Sequence, residues 1–288
     1  MFPVDDFDFH THSRASDGVL PPAAVVTWAV ERGIRHLALT DHDTLDGVAE
    51  AQEAAIAAGI GFVAGVEISA EWQDRGKQEE ENAKAVHIVG LGVDTATTTV
   101  LQEGLRVLRG GRIERARRMD EAFSALGIPG TFAGAMRYAA IPELISRAHF
   151  ARYLVELGLF KEPGRVFEHY LTPGKPGYVR HRWVDLAEAV AWIRAAGGVA
   201  VVAHPGRYKL TSGAMQRFLE DFRDLGGEAI EVVSGSHTPE HVSRFAHVAR
   251  QFGFYASRGS DFHDPAAFHA SKLMPLPEDL VSIRERLA

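Results

Sequence analysis

Two stretches decide the fold: DFHTHSRASDG at residues 8–18 and LALTDHDTLDG at residues 37–47. Each begins in a short segment typical of a buried strand, aromatic in the first stretch and apolar in the second, continues with His and Asp, and leads into a helix-like segment. His10 and His12 alternate by two, so both point to the same side of an extended chain. The pattern predicts strand–helix units whose strands end in side chains that can bind metal ions.

The alternation of strands and helices continues along most of the chain. Strands are predicted at residues 6–11, 36–41, 61–68, 86–91, 199–203, 228–233 and 254–260. Helices are predicted at residues 21–33, 44–58, 185–197, 213–225 and 239–252, the second with Thr44 as its N-cap. This order is typical of an α/β fold with a mainly parallel sheet. Seven such strands can close into a distorted barrel related to the (β/α)8 type.

One long segment interrupts the alternation. Leu101, Leu105 and Leu108 follow helical spacing, and a further helix is expected over 143–157. We therefore predict two parts, a barrel and a helical insertion. The barrel comprises residues 1–98 and 183–288, and the insertion comprises residues 99–182.

Composition excludes several classes of protein. The chain has 288 residues, 46% of them hydrophobic, which is enough for a sizeable core. It has no cysteine, so any metal must be held by His and carboxylate side chains. Neither a membrane-spanning run nor a secretory signal is recognised, and MFPVDDFDFH at the start lacks a basic, apolar leader. A cytoplasmic protein is expected, as a monomer and without an obligate protein partner.

The charge is unevenly distributed. The chain carries 31 basic and 38 acidic residues, for a net charge of -7. Residues 101–182 hold 14 Lys and Arg but 8 Asp and Glu, so this basic segment coincides with the insertion. An acidic body with a basic segment indicates a site for cations beside a site for an anion. A solvated Arg-rich helix would give the same count.

Nearly every predicted strand ends in or carries a His or a carboxylate. The candidates for metal binding are His10, His12, Asp17, His42, Glu67, His87, His204, Asp261 and His263. In a parallel barrel the carboxyl ends of the strands meet at one mouth. Clustered carboxylates raise one another's pKa unless cations relieve the repulsion. The sequence therefore predicts a site for several divalent metal ions at this mouth.

The ordered motifs DFHTHSRASDG, LALTDHDTLDG, GVEIS, VHIVGLGVD, VVAHPGRY and GSDFH resemble those of the polymerase and histidinol phosphatase (PHP) family. The resemblance covers nearly the whole chain. It implies a distorted (β/α)7 barrel and two or three divalent ions: Mn²⁺, with Zn²⁺ or Fe²⁺ as alternatives.

The resemblance also implies how the ligands are shared. One ion would be held by His10, His12, Glu67 and Asp261, and a second by Asp17, His42 and His263. Glu67 would bridge to a third ion, held also by His87 and His204. Asp at position 17, where some members of the family have His, suits a harder metal such as Mn²⁺. His87 lies nearer the start of its predicted strand than the end.

Metal ions so arranged can hydrolyse a phosphoester or an amide, and the PHP resemblance together with the basic insertion favours the phosphoester. Asp43 or His237 could donate a proton to the leaving group, or Asp41 and Asp43 could orient the His ligands. The anion-binding candidates are Arg147, His149, Lys175, Arg180, His181 and Arg207. SRAHFARYLVELG, GKPGYV and HPGRY resemble one PHP subgroup, which removes the 3′-phosphate of 3′,5′-nucleoside bisphosphates such as adenosine 3′,5′-bisphosphate. Related members are 5′→3′ exonucleases on short RNA.

Three alternatives stay open from the sequence. A histidinol-phosphate phosphatase would need an acidic pocket for its amine, which the basic insertion disfavours. A non-catalytic PHP module commonly lacks some ligands, whereas none is missing here. A protein that binds long nucleic acid is disfavoured by the acidic net charge, although a short single-stranded RNA is compatible with it.

Overall fold

The structure is a computed structural model that describes residues 6–75, 83–96, 99–266 and 273–288. Its strands are β1 (Phe7–Asp8), β2 (His36–Leu39), β3 (Gly61–Gln73), β4 (Ala83–Leu91), β5 (Val184–Asp185), β6 (Val199–Val202), β7 (Ala229–Ser234) and β8 (Tyr255–Gly259). Its helices are α1 (Pro22–Glu31), α2 (Val48–Ala58), α3 (Thr99–Gly110), α4 (Arg112–Ala125), α5 (Thr131–Met136), α6 (Arg147–Glu156), α7 (Pro163–Val166), α8 (Leu186–Ala195), α9 (Ser212–Asp224), α10 (Pro239–Phe252) and α11 (Arg284–Leu287). The described ranges leave out residues 1–5, on which the prediction that no secretory signal is present partly depends. They also leave out residue 98, at the predicted boundary of the insertion.

The strands form one sheet in the order β1-β2-β3-β4-β6-β7-β8, with β5 paired to β3. Among the described strands, β4 alone runs against its neighbours: it pairs antiparallel with both β3 and β6, and the other pairs are parallel. The predicted α/β sheet is therefore confirmed, with one reversed strand that the sequence pattern did not predict. A buried strand has the same apolar pattern in either direction.

Backbone hydrogen bonds join the two ends of the sheet beyond β1 and β8. Phe9 N–H donates to the Arg258 carbonyl at 3.0 Å, and Asp261 N–H donates to the His10 carbonyl at 2.8 Å. His12 N–H donates to the Phe262 carbonyl at 2.8 Å. The sheet is thus barrel-like, and its seam lies where two predicted metal-binding motifs meet.

The insertion has a hydrophobic core of its own. Phe123, Phe150 and Leu154 are fully buried in a cluster built by α4 to α7 and the segments between them. By contrast, α3 buries Leu101 and Leu105 in the barrel core. The separate cluster therefore begins with α4 at Arg112, one helix later than the predicted boundary at residue 99.

Helix α2 has no side-chain cap at its start and ends at a glycine in a left-handed conformation. Gly59 ends α2 with a left-handed φ of 68°, as its position in the sequence predicts. The prediction that Thr44 caps this helix is wrong. The helix begins at Val48 after Gly47, and the Thr44 hydroxyl accepts a hydrogen bond from Asp46 N–H instead, at 3.1 Å. Thr44 therefore stabilises the loop that precedes the helix.

No helix among the described residues is both long enough and apolar enough to cross a membrane.

Candidate active site

All nine predicted metal ligands lie together at one mouth of the barrel. Glu67, fully buried on β3, is at their centre. Its Oε2 lies 3.2 Å from both His10 Nε2 and His12 Nε2, and 3.0 Å from His42 Nδ1. Its Oε1 lies 2.8 Å from His87 Nδ1 and 2.9 Å from His204 Nε2. One carboxylate thus faces imidazoles from five positions of the chain.

Asp261 completes the first group of donor atoms. Its Oδ1 lies 3.2 Å from His12 Nε2 and 3.4 Å from His10 Nε2. The two Nε2 atoms are 3.0 Å apart. These three side chains, with Glu67, are the set that the sequence predicts for one ion, and their donor atoms all lie within 4.8 Å of one another.

A second group surrounds Asp17. Its Oδ1 lies 3.1 Å from His263 Nε2, and His12 and His42 offer nitrogens to the same group. The sequence predicts this group without His12. A third group joins Glu67, His87 and His42, and His204 approaches the Glu67 oxygen that His87 faces. The division of ligands among individual ions stays a prediction.

The reversed direction of β4 explains the position of His87. Because β4 is antiparallel to β3, the amino-terminal half of β4 lies at the mouth where the parallel strands end. His87 is opposite Ser69, two residues beyond Glu67. Its place near the start of the predicted strand, which is the middle of the observed β4, therefore brings it to the site.

The donor set fits divalent cations. Burial alone would raise the pKa of Glu67, but the charges of His42, His10 and His87 hold it well below its usual range. Glu67 is therefore ionised, yet its buried Oε2 has no well-directed hydrogen bond from the described residues. Burial likewise disfavours a charged His12, but hydrogen bonds to Asp261 and Glu67 raise its pKa to about 10. The buried carboxylates thus favour positive charge at the centre of the cluster, which divalent cations would supply.

Strained backbone is confined to the loops of this site. Among the described non-glycine residues, positive φ occurs at Asp43 (52°), His204 (28°) and Asp261 (55°). Each residue follows a strand, β2, β6 or β8, and each is a candidate site residue or its neighbour. Such conformations cost about 1–3 kcal/mol each and persist where the surroundings hold them. The fold therefore holds these turns in place at the mouth of the barrel.

The sequence analysis missed Glu231, which contacts two of the predicted ligands. It is 1% exposed on β7. Its Oε1 lies 2.5 Å from His10 Nδ1, and its Oε2 accepts a hydrogen bond from His204 N–H at 2.6 Å. The available signal was a lone carboxylate within the otherwise apolar run AIEVV.

A cavity of about 650 Å³ opens above the candidate metal ligands. Asp17, His87 and Asp261 line one side of it, and the insertion supplies cations on another. The cations of the insertion that line the cavity are Arg112, Arg115, Arg147, Arg152 and Lys161. Candidate metal ligands and basic side chains of the insertion therefore line the same cavity, as expected if a cation site and an anion site are neighbours.

Three of these cations crowd together. Arg112 and Arg115 are 4% and 6% exposed, and both guanidinium groups lie over the Trp183 ring, at 4.8 and 5.5 Å from its centroid. Burial and the charges of Arg147 and Arg112 lower the pKa of Arg115 to about 9. Arg112 Nε is buried without a hydrogen-bond partner among the described residues. An anion in the cavity would relieve this repulsion.

Two of the six predicted anion-binding residues line the cavity. Arg147 is at the first position of α6, and Arg207 pairs with Asp261. Lys175 and Arg180 are exposed and are not among the residues that line it. The predicted roles of Lys175 and Arg180 in anion binding therefore lack support from this geometry.

The two predicted histidines of the insertion are poor cations. His149 is fully buried, and its Nδ1 accepts the Ser146 N–H in the cap of α6. Burial lowers the pKa of His149 to about 4. Burial, together with the charges of Arg115 and Arg112, lowers the pKa of His181 to about 4. Both side chains are neutral near pH 7 and would not attract an anion by charge.

Neither predicted proton donor has a free donor atom in this geometry. Asp43 is fully buried: its Oδ1 accepts Ser69 N–H at 2.8 Å, and its Oδ2 pairs with Arg112. His237 Nδ1 lies 3.0 Å from the Val232 carbonyl, and its Nε2 accepts Gly206 N–H at 3.1 Å. The structure favours positioning roles for both, and a catalytic role stays a prediction.

The barrel and its cluster of imidazoles and carboxylates define a class of protein that binds metal ions at the mouth of a barrel. A PHP domain matches residues 8–233, and the chain belongs to the PHP domain family. A 3′,5′-nucleoside bisphosphate phosphatase from Chromobacterium violaceum is 50% identical over 260 residues, which are 90% of this chain and 88% of that protein.

Two further comparisons agree with the family. A 5′-3′ exoribonuclease from Haemophilus influenzae is 37% identical over 283 residues, covering 97% of this chain and 98% of that protein. A solved structure of an amidohydrolase from Chromobacterium violaceum, with bound sulfate and no metal, is 48% identical with a TM-score of 0.90. It covers 98% of this chain and 95% of its own. The PHP resemblance and the barrel fold expected from the sequence are thereby confirmed.

Proposed function

We propose that this protein is a metal-dependent phosphatase that removes the 3′-phosphate from 3′,5′-nucleoside bisphosphates and leaves the 5′-monophosphate. The observation that carries the proposal is the single cavity, which has the candidate metal ligands on one side and buried arginines on another. The 50% identical phosphatase from Chromobacterium violaceum supports the same substrate class.

The nine candidate ligands would hold two or three divalent ions, with Mn²⁺ as the proposed metal. The three carboxylates among them, Asp17, Glu67 and Asp261, are oxygen donors of the kind that Mn²⁺ binds. When bound, such ions supply Lewis acidity and positive charge at the phosphate that is cleaved. Glu67 and Asp261, both ionised and buried, keep the position of this charge fixed.

The arginines would bind the second phosphate of the substrate. Arg115 and Arg147 line the cavity from the insertion, and a guanidinium group can bind two phosphate oxygens at once. Arg207, paired with Asp261, stands beside the metal ligands and would contact the phosphate that is cleaved. A substrate with two phosphates would therefore satisfy both sides of the cavity.

Hydrolysis of short RNA from its 5′ end is the second candidate function. A surface groove of about 760 Å³ shares Lys161 and Glu162 with the cavity and continues past Phe160, Arg165 and His169. An aromatic ring with neighbouring cations can receive further nucleotides of a single strand. The 37% identical exoribonuclease from Haemophilus influenzae supports this candidate. The cationic cavity disfavours histidinol phosphate, whose amine is itself a cation.

The experiment is a comparison of substrates with purified protein and Mn²⁺. We expect adenosine 3′,5′-bisphosphate to yield 5′-AMP and inorganic phosphate, which chromatography separates from 3′-AMP. A chelator should abolish the reaction, and added Mn²⁺ should restore it. Turnover of histidinol phosphate without turnover of the bisphosphate would reject the proposal. A cytoplasmic location stays a prediction.

A further inference from the structure

We propose that Glu231 is a positioning residue that holds two candidate ligands, His10 and His204, in the orientation that binds metal ions. Its carboxylate is 1% exposed and makes both contacts at once, through Oε1 to His10 Nδ1 and through Oε2 to His204 N–H. Because β7 carries Glu231, one side chain links the loops that follow β1 and β6.

The contact with His10 decides which ring nitrogen faces the cluster. A carboxylate only accepts hydrogen bonds, so His10 Nδ1 carries a proton and donates it to Glu231. Nε2 of the same ring lies 3.2 Å from Glu67 Oε2 and 3.4 Å from Asp261 Oδ1. The Nε2 lone pair is therefore the one directed at a cation, and Glu231 fixes both the tautomer and the plane of the ring.

The contact with His204 stabilises a strained turn. His204 has φ 28° and ψ 54°, a left-handed conformation that non-glycine residues rarely adopt. Its N–H is held by Glu231 at 2.6 Å, while its Nε2 reaches Glu67 Oε1 at 2.9 Å. Without the acceptor the turn can relax, and the imidazole would move away from Glu67.

Glu231→Gln tests the inference, because glutamine has one acceptor and one donor where glutamate has two acceptors. It cannot accept from both His10 Nδ1 and His204 N–H. We expect the Kd for Mn²⁺ to rise about 10- to 100-fold, measured by electron paramagnetic resonance of free Mn²⁺ during titration of the metal-stripped full chain. Asp6→Asn is the matched control. Asp6 is 5% exposed and pairs with Arg284 at 2.7 Å at the opposite end of the barrel.

A second measurement uses the unaltered protein, in case the variant does not fold. In the Zn²⁺-loaded chain, ¹⁵N-labelled histidine spectra should show His10 with its proton on Nδ1, assigned by the loss of that signal in His10→Gln. A proton on Nε2, or a wild-type Kd for Mn²⁺ in folded Glu231→Gln, would overturn the inference. The inference rests on the proposed function only for the presence of metal ions. Suppose that the unaltered chain binds Mn²⁺ with the expected tautomer, that Glu231→Gln weakens this binding, and that no phosphatase activity is found. These results would support the role of Glu231 and count against the proposed reaction.

Discussion

The Ser146 hydroxyl, at the cap of α6 in the insertion, donates a hydrogen bond to Asp17 Oδ2 in the barrel at 3.1 Å. The other oxygen of Asp17 lies 3.1 Å from His263 Nε2 and faces the candidate metal site. Arg152, further along the same helix, donates to the backbone carbonyls of Asp17 and Gly18. The insertion therefore orients a candidate metal ligand as well as lining the cavity.

Ser146→Ala should weaken one metal site without abolishing it. Asp17→Ala should lower bound metal by about one ion per chain, and Ser146→Ala should leave the ligand but loosen its orientation. Loss of the helix cap should also cost about 1 kcal/mol of unfolding free energy. Metal content and Mn²⁺ titration check both variants. Ser146→Thr keeps the hydroxyl and should restore binding, and equal Mn²⁺ affinity in the Ala variant would show that the hydrogen bond does not matter.

Local pattern sufficed to predict most of the fold and the candidate metal ligands that the structure brings together. Strands that end in His or Asp are visible in the sequence because those side chains follow directly on apolar runs, as in His10, His42 and Asp261. Direction is not visible, and so His87 seemed misplaced until β4 was found to be antiparallel. Glu231 was missed because its partners, His10 and His204, lie 221 and 27 residues away in the sequence.

The cationic side of the cavity was harder to predict, because the contacts that bury its residues also come from distant parts of the chain. Arg147, which lies in one of the resembling motifs, lines the cavity, whereas Lys175 and Arg180, which were predicted with it, are exposed outside the cavity. Arg112 and Arg115 sit on a helix whose arginines cover all faces, so spacing alone did not single them out. Their burial depends on Trp183, which lies about 70 residues further along the chain.

Arg147→Ala should impair binding of bisphosphates far more than hydrolysis of a simple aryl phosphate. Loss of a charge-assisted contact should cost about 1.5–3 kcal/mol, which raises the KM of the bisphosphate by roughly one to two orders of magnitude. The aryl phosphate lacks the second anion, so its KM should change little. Steady-state kinetics on both substrates check this.

Lys175→Ala is the control for Arg147→Ala. Lys175 is an exposed cation of the same insertion that does not line the cavity, so its removal should leave both KM values unchanged. Equal effects of Arg147→Ala on both substrates would remove Arg147 from the role in binding the second phosphate. A large effect of Lys175→Ala on the bisphosphate would restore the assignment made from the sequence.

The buried ion pair between Asp43 and Arg112 should couple the barrel to the insertion. The two side chains are 0% and 5% exposed, and Arg112 also lies over Trp183. Asp43→Asn leaves a buried cation without its counter-ion and should lower the unfolding free energy by about 3–5 kcal/mol. Arg112→Met in the same chain should recover part of the loss, since methionine needs no counter-ion. Urea denaturation of the single and double variants measures the coupling, and simple additivity would refute it.

His237 should make the folded protein sensitive to acid. It is 6% exposed, and burial is the main cause that lowers its pKa to about 4. The unfolded chain binds a proton near pH 6.5 and the folded chain does not until about pH 4. Stability is therefore intact above pH 6.5 and falls as the pH is lowered through this window, by about 2 kcal/mol at pH 4.5 relative to pH 7.

His237→Asn removes this titration while keeping a donor for the Val232 carbonyl. Other groups of the protein also titrate in this window, so the quantity that matters is the difference between the two proteins. Urea denaturation at pH 7 and pH 4.5 should show that the variant loses about 2 kcal/mol less than the wild type on acidification. If both proteins lose the same free energy, His237 is already protonated in the fold at pH 4.5. Its Nε2 then could not accept the Gly206 N–H, and the turn after His204 would be held in some other way.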